Sequence, residues 1–229
     1  MATIGSGLMM ADNMTEKAEK MVSYVLDHAK KGDPASLLAS ADKYCYTVQK
    51  LMNVGEIKGA IVTNILKDLA PKTCLELGTY CGYSAVLMAS ILPKGSRLLT
   101  VEADEGNAEI AKKFIDHAGI EVKEKITVIV NNSDEVIPKL REDFSVDFLD
   151  FVFIDHWKNV YLRDLQLLET HGLLRKGTVI VADNIIYPGV PEYLQYVTTS
   201  EKYQTETFDS TLEYSDKKDA VAKSVYLVE

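Results

Sequence analysis

Residues 73–92, TCLELGTYCGYSAVLMASIL, are the part of the sequence most informative about the fold class. Its first part, TCLEL, is a short apolar run that is typical of a buried strand and stops at Gly78. The part from residue 81 onward has the apolar spacing of a helix. A buried strand that turns directly into a helix opens a βαβ unit, so parallel strands are expected to follow.

The alternation of strands and helices continues along the chain. We predict further strands at 96–103, 125–131, 146–155 and 177–183, helices at 105–118, 133–143 and 158–170, and two final β-like runs at 204–209 and 221–228. Strands that are apolar throughout suit a sheet covered on both faces. The predicted fold class is α/β: a doubly wound, mostly parallel, seven-stranded Rossmann-like sheet with helices on both faces and an antiparallel C-terminal strand.

The segment before the sheet is predicted to be helical. Residues 1–14 carry neither a basic segment nor a long apolar run, so we interpret them as a flexible tail and not as a signal peptide. Because no linker or repeat interrupts the remainder, residues 15–229 are expected to form a single domain. Helices are expected at 15–30, 35–49 and 55–69, the last carrying Ile57, Ala60, Ile61, Asn64, Ile65 and Leu69.

The composition limits the classes of function. A net charge of −9 disfavours a phosphate backbone, so we expect no nucleic-acid partner. The apolar runs are shorter than the roughly 20 residues of a membrane helix, so we expect no membrane partner. Cys45, Cys74 and Cys81 have neither a disulfide framework nor zinc-site spacing. We expect a cytoplasmic protein with a small-molecule substrate, as a monomer or alternatively a homodimer.

Acidic residues fall where the predicted strands end. Glu76, Glu102, Asp155 and Asp183 close the first, second, fourth and fifth strands. In open α/β sheets the ligand crevice lies outside the carboxyl ends of the strands, so these carboxylates are expected to share one rim. The alternative is that each acid only caps a helix or belongs to a loop.

The turn after the first strand indicates an adenosine cofactor. ELGTYCG at residues 76–82 is a G-x-x-x-G turn, neither the dinucleotide G-x-G-x-x-G fingerprint nor a phosphate loop with its lysine. Glu102, at the end of the next strand, can accept hydrogen bonds from both ribose hydroxyls. The pattern favours S-adenosylmethionine over a nicotinamide cofactor; a plain strand-to-helix turn stays the structural alternative.

Asp155, Asp183 and Asn184 are typical of a hard-cation site. Two carboxylates and an amide carbonyl supply three of the six oxygens that Mg²⁺ prefers, with Ca²⁺ or Mn²⁺ as alternatives. Asn184 could instead only begin a turn. Lys158 could act as a general base if its pKa were lowered, or be a solvated surface lysine. His156 and Trp157 could stack on adenine, or fill a turn and the core.

Six strings together carry a resemblance that runs from about residue 15 to the end: MNVGEIKG (52–59), LELGTYCGYSA (75–85), LLTVE (98–102), FIDHWK (153–158), LLRKGTVIVADNIIYPG (173–189) and LEY (212–214). They resemble the catechol O-methyltransferases of the class I S-adenosylmethionine-dependent methyltransferase family. The resemblance implies magnesium-dependent O-methylation of one hydroxyl of a catechol, including catecholamines.

The resemblance also implies roles by position. Lys158 would be catalytic, and Asp155, Asp183 and Asn184 would bind magnesium. Lys158, Asn184, Glu213, Met52 and Pro188 would contact the substrate. The cofactor would be held by Val54 (through its main chain), Glu76, Tyr80, Ser84, Glu102, Ser133, Asp134, Asp155, His156 and Trp157.

Two positions depart from the family pattern. Asp134 stands where the family has an amide that reads adenine, and Lys50 stands where it usually has a tryptophan at the substrate gate. Lys50 leaves open whether the meta or the para hydroxyl reacts. A cation-dependent methyltransferase for a caffeoyl-CoA-like phenol is the alternative enzyme. A nicotinamide oxidoreductase and a non-enzymatic interaction module are the readings from other classes.

Overall fold

The computed structural model describes the backbone of residues 4–229 and the side chains of residues 14–229. One seven-stranded sheet has the order β3-β2-β1-β4-β5-β7-β6. Its strands are β1 (Thr73–Leu77), β2 (Arg97–Glu102), β3 (Ile126–Val130), β4 (Phe151–Ile154), β5 (Val179–Ala182), β6 (Tyr203–Thr211) and β7 (Lys218–Tyr226). Strand β7 alone runs opposite to the other six strands, so the predicted fold class is confirmed.

Ten α-helices surround the sheet in the described part of the chain. They are α1 (Ile4–His28), α2 (Pro34–Thr47), α3 (Gly55–Leu69), α4 (Tyr83–Ile91), α5 (Glu105–His117), α6 (Ile120–Lys123), α7 (Ser133–Val136), α8 (Leu140–Phe144), α9 (Tyr161–Thr170) and α10 (Pro191–Thr199). None of these helices combines the length and the apolar character needed to cross a membrane.

The sheet is buried on both faces because its apolar residues alternate between two cores. Phe151 and Phe153 of β4 pack with helices α1 to α5 on one face. Val152 and Ile154 pack with α9 and α10 on the other face. A strand covered on both sides reads as a continuous apolar run, which is why β1, β4 and β5 were visible in the sequence.

The N-terminal prediction differs from the structure. Helix α1 includes residues 4–14, which we interpreted as part of a flexible tail, while residues 1–3 lie outside the described residues. Helix α1 packs on α2 and α5 through buried Ala18, Met21 and Val25. The division into a flexible tail and a single domain stays a prediction.

The face of α3 also differs from the expected one. Ile57 is 53% exposed, and Ala60 and Asn64 face solvent. The buried side of the helix keeps Ile65 from the expected series and adds Lys58 and Val62. A lysine therefore enters the interior beside the carboxyl ends of the strands.

Candidate functional site

The proposed metal ligands meet at the ends of two adjacent strands. Ile154 of β4 pairs with Ala182 of β5, so Asp155 and Asp183 follow directly on neighbouring strands. Asp183 and Asn184 are buried, and Asn184 has a left-handed backbone with φ 58°. We call Asp155, Lys158, Asp183 and Asn184, with the residues that contact them, the metal end of the site.

A buried lysine occupies the centre of the metal end. The Lys58 ammonium, on α3, lies 2.8 Å from Asp183 Oδ2, 3.0 Å from Glu213 Oε2 and 3.1 Å from Asp219 Oδ2. Burial alone would lower the pKa of Lys58, but Asp183 and Glu213 outweigh it and raise the pKa above its ordinary value. Lys58 therefore stays charged and balances the carboxylates around it.

Asp183 itself is held by two donors. Its Oδ1 accepts the backbone N–H of Asn184 at 2.6 Å, and its Oδ2 accepts Lys58. Burial and the nearby charge of Asp155 raise the pKa of Asp183 above its ordinary value, in spite of Lys58. A buried carboxylate whose pKa is raised by burial and by a neighbouring carboxylate favours the arrival of a further cation, which is the electrostatic setting of a metal site.

Lys158 is fixed between a carboxylate and a phenol. Its ammonium donates to Asp155 Oδ1 at 2.8 Å and to the Tyr161 hydroxyl at 2.7 Å. Tyr161 is fully buried and its hydroxyl in turn donates to the Asp183 carbonyl at 3.3 Å. Lys158 is thus a positioned group beside the proposed metal ligands and not a freely solvated side chain.

We call Glu76, Tyr80, Ser84 and Glu102 the cofactor end of the site. Glu76 is fully buried, and its Oε2 accepts the Thr100 hydroxyl at 2.5 Å. Its Oε1 has no partner among the described residues. Burial raises the pKa of Glu76 to about 8, although Ser84 and Thr100 oppose the shift. An orphaned buried oxygen fits a donor group of a bound cofactor.

Glu102 is held at the turn that follows β1. Its Oε2 accepts the Tyr80 N–H at 2.7 Å and its Oε1 accepts the Asp104 N–H at 3.0 Å. Gly78 has φ 105°, and a Cβ there would lie 2.5 Å from the Asp155 carbonyl oxygen. The glycine is therefore needed for the packing of this turn on the end of β4, in addition to any ligand it admits.

A third group surrounds Asp164, which is fully buried in α9. It accepts Ser133 Oγ at 2.5 Å, His156 Nε2 at 2.6 Å and Arg163 Nε at 2.7 Å. Burial would raise the pKa of Asp164, but these donors lower it below its ordinary value. His156 Nδ1 is buried without a partner among the described residues, and Arg163 pairs with Asp134 at 3.0 Å.

A cavity of about 310 Å³ is lined by Glu213, the one expected substrate residue that it includes. Glu213 and Val54 line it together with Lys50, the residue at the expected gate. Met52 is 52% exposed and Pro188 is exposed in the 185–189 segment after Asn184. The structure brings Glu213 to the metal end through Lys58, while Met52 and Pro188 are open to solvent.

Trp157 is far more exposed to solvent than His156, the residue before it. It is 70% exposed, whereas His156 beside it stacks on Tyr161 with ring centroids 5.2 Å apart. The expected packing of Trp157 on adenine therefore stays a prediction. Ser133 and His156 both donate to Asp164. The positions of the acidic residues at the strand ends did not point to Asp164.

The metal end fits a hard cation by its donor chemistry. Asp155, Asp183 and Asn184 offer carboxylate and amide oxygens, which Mg²⁺ prefers. Within residues 14–229, no group of three or more His, Cys, Asp and Glu side chains is arranged to hold a metal. The proposed set has only two such carboxylates, so water or substrate oxygens would complete the coordination shell.

Sequence comparisons place the chain in a family. A family model described as O-methyltransferase matches residues 34–219. The chain is 46% identical over 212 residues to catechol O-methyltransferase of Bos taurus, covering 93% of this chain and 77% of that protein. It is 45% identical over 210 residues to catechol O-methyltransferase of Mus musculus, covering 92% and 78%.

Solved structures share the fold at low identity. An O-methyltransferase from Bacillus cereus in complex with SAH has a TM-score of 0.70 at 20% identity, covering 93% of this chain and all of that one. An O-methyltransferase from Streptomyces achromogenes in complex with SAM also has a TM-score of 0.70, covering 83% and 89%.

The family match spans most of the sheet and reaches from α2 to Asp219. It includes the turn at Gly78 and all four strand-end carboxylates. The match and the curated relatives confirm the resemblance drawn from the six strings. The chain belongs to the O-methyltransferase family and is a methyltransferase.

Proposed function

We propose that this protein transfers a methyl group from S-adenosylmethionine to one hydroxyl of a catechol, in a magnesium-dependent reaction. One observation carries the proposal: the oxygens of Asp155, Asp183 and Asn184 are grouped beside Lys158, next to the Glu102 turn. Relatives named catechol O-methyltransferases, at about 45% identity, support the choice of substrate.

Residues at the strand ends would hold both the magnesium ion and S-adenosylmethionine. Asp155, Asp183 and Asn184 would bind magnesium, which as a Lewis acid would lower the pKa of a bound catechol hydroxyl. Glu102 would accept the ribose hydroxyls of the cofactor, while Glu76 Oε1 and His156 Nδ1 would accept further donors from it. Each of these last two atoms is buried and has no protein partner among the described residues.

In its neutral amine form, Lys158 would take the proton from the reacting hydroxyl and become an ammonium. Its contacts with Asp155 and Tyr161 hold the ammonium nitrogen in place before substrate arrives. Glu213, steadied by Lys58, would accept the second hydroxyl and so orient the ring. Holding the oxygen in line with the sulfonium methyl would supply the remaining reduction of the barrier, because positioning replaces an entropic cost.

A direct competition tests the substrate class. Free catechols such as dopamine and 3,4-dihydroxybenzoate would be mixed with caffeoyl-CoA, SAM and Mg²⁺, and the methylated products separated by mass. We expect mono-methylated free catechol, and the meta to para ratio would report on the effect of Lys50. Methylation confined to the thioester would replace the proposal with the caffeoyl-CoA alternative.

A further inference from the structure

Asp219 joins the metal end to the segment that carries Pro188. It is the second residue of β7 and is fully buried. Its Oδ2 accepts Asn184 Nδ2 at 2.9 Å and Lys58 Nζ at 3.1 Å. Its Oδ1 accepts the backbone N–H groups of Ile186 at 3.2 Å and Tyr187 at 3.0 Å. These four contacts join Asp219 to Asn184, to Lys58 and to the backbone of the 185–189 segment.

The contact with Asn184 fixes which end of its amide is available. An amide side chain carries one acceptor oxygen and one donor nitrogen on the same carbon, pointing in different directions within the amide plane. A carboxylate only accepts, so Asp219 binds the nitrogen and rejects the oxygen. The Asn184 carbonyl oxygen is then the atom left for a cation.

Lys58 supplies the counter-charge that the buried Asp219 carboxylate needs in the protein interior. A buried carboxylate with no counter-charge is strongly unfavourable. The Lys58 ammonium contacts both Asp219 Oδ2 and Asp183 Oδ2, so one lysine ties the supporting acid to the ligand acid. Lys58, Asp183 and Asp219 form one connected unit that includes a proposed metal ligand.

We propose that Asp219 is a positioning residue of the site: it selects the orientation of the Asn184 amide that offers oxygen to a divalent cation, and it holds the 185–189 segment in register. The inference rests on the proposed function, because it assumes that Asn184 is a metal ligand. Residues that support metal ligands from behind typically change metal affinity by about 10–100-fold when replaced.

Metal binding tests the inference without an activity assay. Mn²⁺ would be titrated into the wild type, Asp219→Asn and Asp209→Asn, with free Mn²⁺ followed by electron paramagnetic resonance. Asp209 is exposed on β6 and pairs with Ala220, the neighbour of Asp219, so it is a matched loss of charge. We expect Asp219→Asn to weaken Mn²⁺ binding by about 10–100-fold and Asp209→Asn to leave it unchanged.

The affinity for S-adenosylhomocysteine, measured by calorimetry, separates positioning from general damage. We expect it to stay within about twofold in Asp219→Asn, because the cofactor end is supported by other residues. Unchanged Mn²⁺ affinity in Asp219→Asn would overturn the inference alone. A wild type that binds S-adenosylhomocysteine but no Mn²⁺ would overturn the metal part of the proposed function, and the inference with it.

A measurement on the wild type covers the case in which Asp219→Asn does not fold. In ¹⁵N-labelled protein, the Asn184 side-chain amide signals would be assigned by their loss in Asn184→Ser. We expect one of the two amide protons, the one bonded to Asp219, to exchange slowly with solvent. Fast exchange of both protons would contradict a fixed amide and overturn the inference.

Discussion

The cofactor end and the metal end are built in different ways. At the cofactor end, Glu76 and Glu102 bond to groups 24 and 22 residues away in sequence, Thr100 and the Tyr80 N–H. At the metal end, Lys58 bonds to Asp183 and Asp219, which lie 125 and 161 residues away. The first is therefore formed within one βαβ unit, while the second exists only once the whole sheet has assembled.

The two ends also differ in charge. Among the side chains that the structure describes, no cation bonds to Glu76 or Glu102, and burial raises the pKa of both carboxyls. At the metal end, Lys58 and Lys158 each bond to at least one carboxylate. A ligand at the cofactor end must bring its own donors, whereas a cation at the metal end joins a cluster that is already partly neutralised.

Removing Lys158 would have the largest effect on the metal end. We expect Lys158→Ala to lower turnover by about 10²–10⁴-fold, the range of a general base, with little change in S-adenosylhomocysteine affinity. Steady-state rates at saturating SAM and catechol would measure the effect. Lys176→Ala, at an exposed lysine paired with Glu229, is the control. Wild-type turnover in Lys158→Ala at neutral pH would remove Lys158 from the base role.

Removing Lys58 would affect stability most. We expect Lys58→Met to lower the free energy of unfolding by about 3–5 kcal/mol, because buried carboxylates lose their counter-charge. Urea unfolding of the metal-free protein would measure this loss. Lys20→Met is the matched control, since Lys20 pairs with Glu16 on the exposed side of α1, and its stability should match the wild type. Equal effects of the two substitutions would contradict the central role of Lys58.

The raised pKa of Glu76 at the cofactor end predicts that the stability of the protein depends on pH. The folded-state pKa of Glu76 is about 8, against an ordinary 4.5, so the folded protein keeps a proton that the unfolded chain releases between these values. Stability from this group is complete below about pH 4.5 and falls as pH rises toward 8, by about 1.4 kcal/mol per unit. The free energies of unfolding of the wild type and Glu76→Gln would be compared from pH 5 to 8 without cofactor. We expect the wild type to lose stability relative to Glu76→Gln as the pH rises. A constant difference would show that Glu76 is ionised throughout.

The smallest expected effect is at the exposed pair of Asp134 and Arg163. Both side chains are more than 40% exposed, so we expect Asp134→Asn to change the free energy of unfolding by about 0.2–1 kcal/mol. Asp164→Asn should cost more, because that buried carboxylate accepts three side chains. Urea unfolding of both variants makes the comparison, and equal losses would contradict the difference in burial.

The strands of the sheet could be predicted, but some boundaries could not. The run 146–155 reads as one strand, yet β4 begins only at Phe151. Val146 and Leu149 are buried before the strand begins, so their apolar character reflects packing and not β structure. Helix α10, Pro191–Thr199, was not predicted because its short amphipathic pattern follows the irregular 185–189 segment.

The same limit applies to the site. Asp155 and Asp183 could be grouped from the sequence, because adjacent parallel strands bring their carboxyl ends together. Lys58 and Asp219 could not, since their contacts depend on β7 lying between β5 and β6. The spacing of Lys58 with Val62 and Ile65 on one buried helical face was the available signal.

Metal dependence of methyl transfer tests the account most directly. Purified protein would be incubated with SAM and dopamine after removal of metals by EDTA, with and without added Mg²⁺. We expect mono-methylated catechol only when Mg²⁺ is restored, and loss of that response in Asp183→Asn. Equal methylation in the presence of excess EDTA would contradict it.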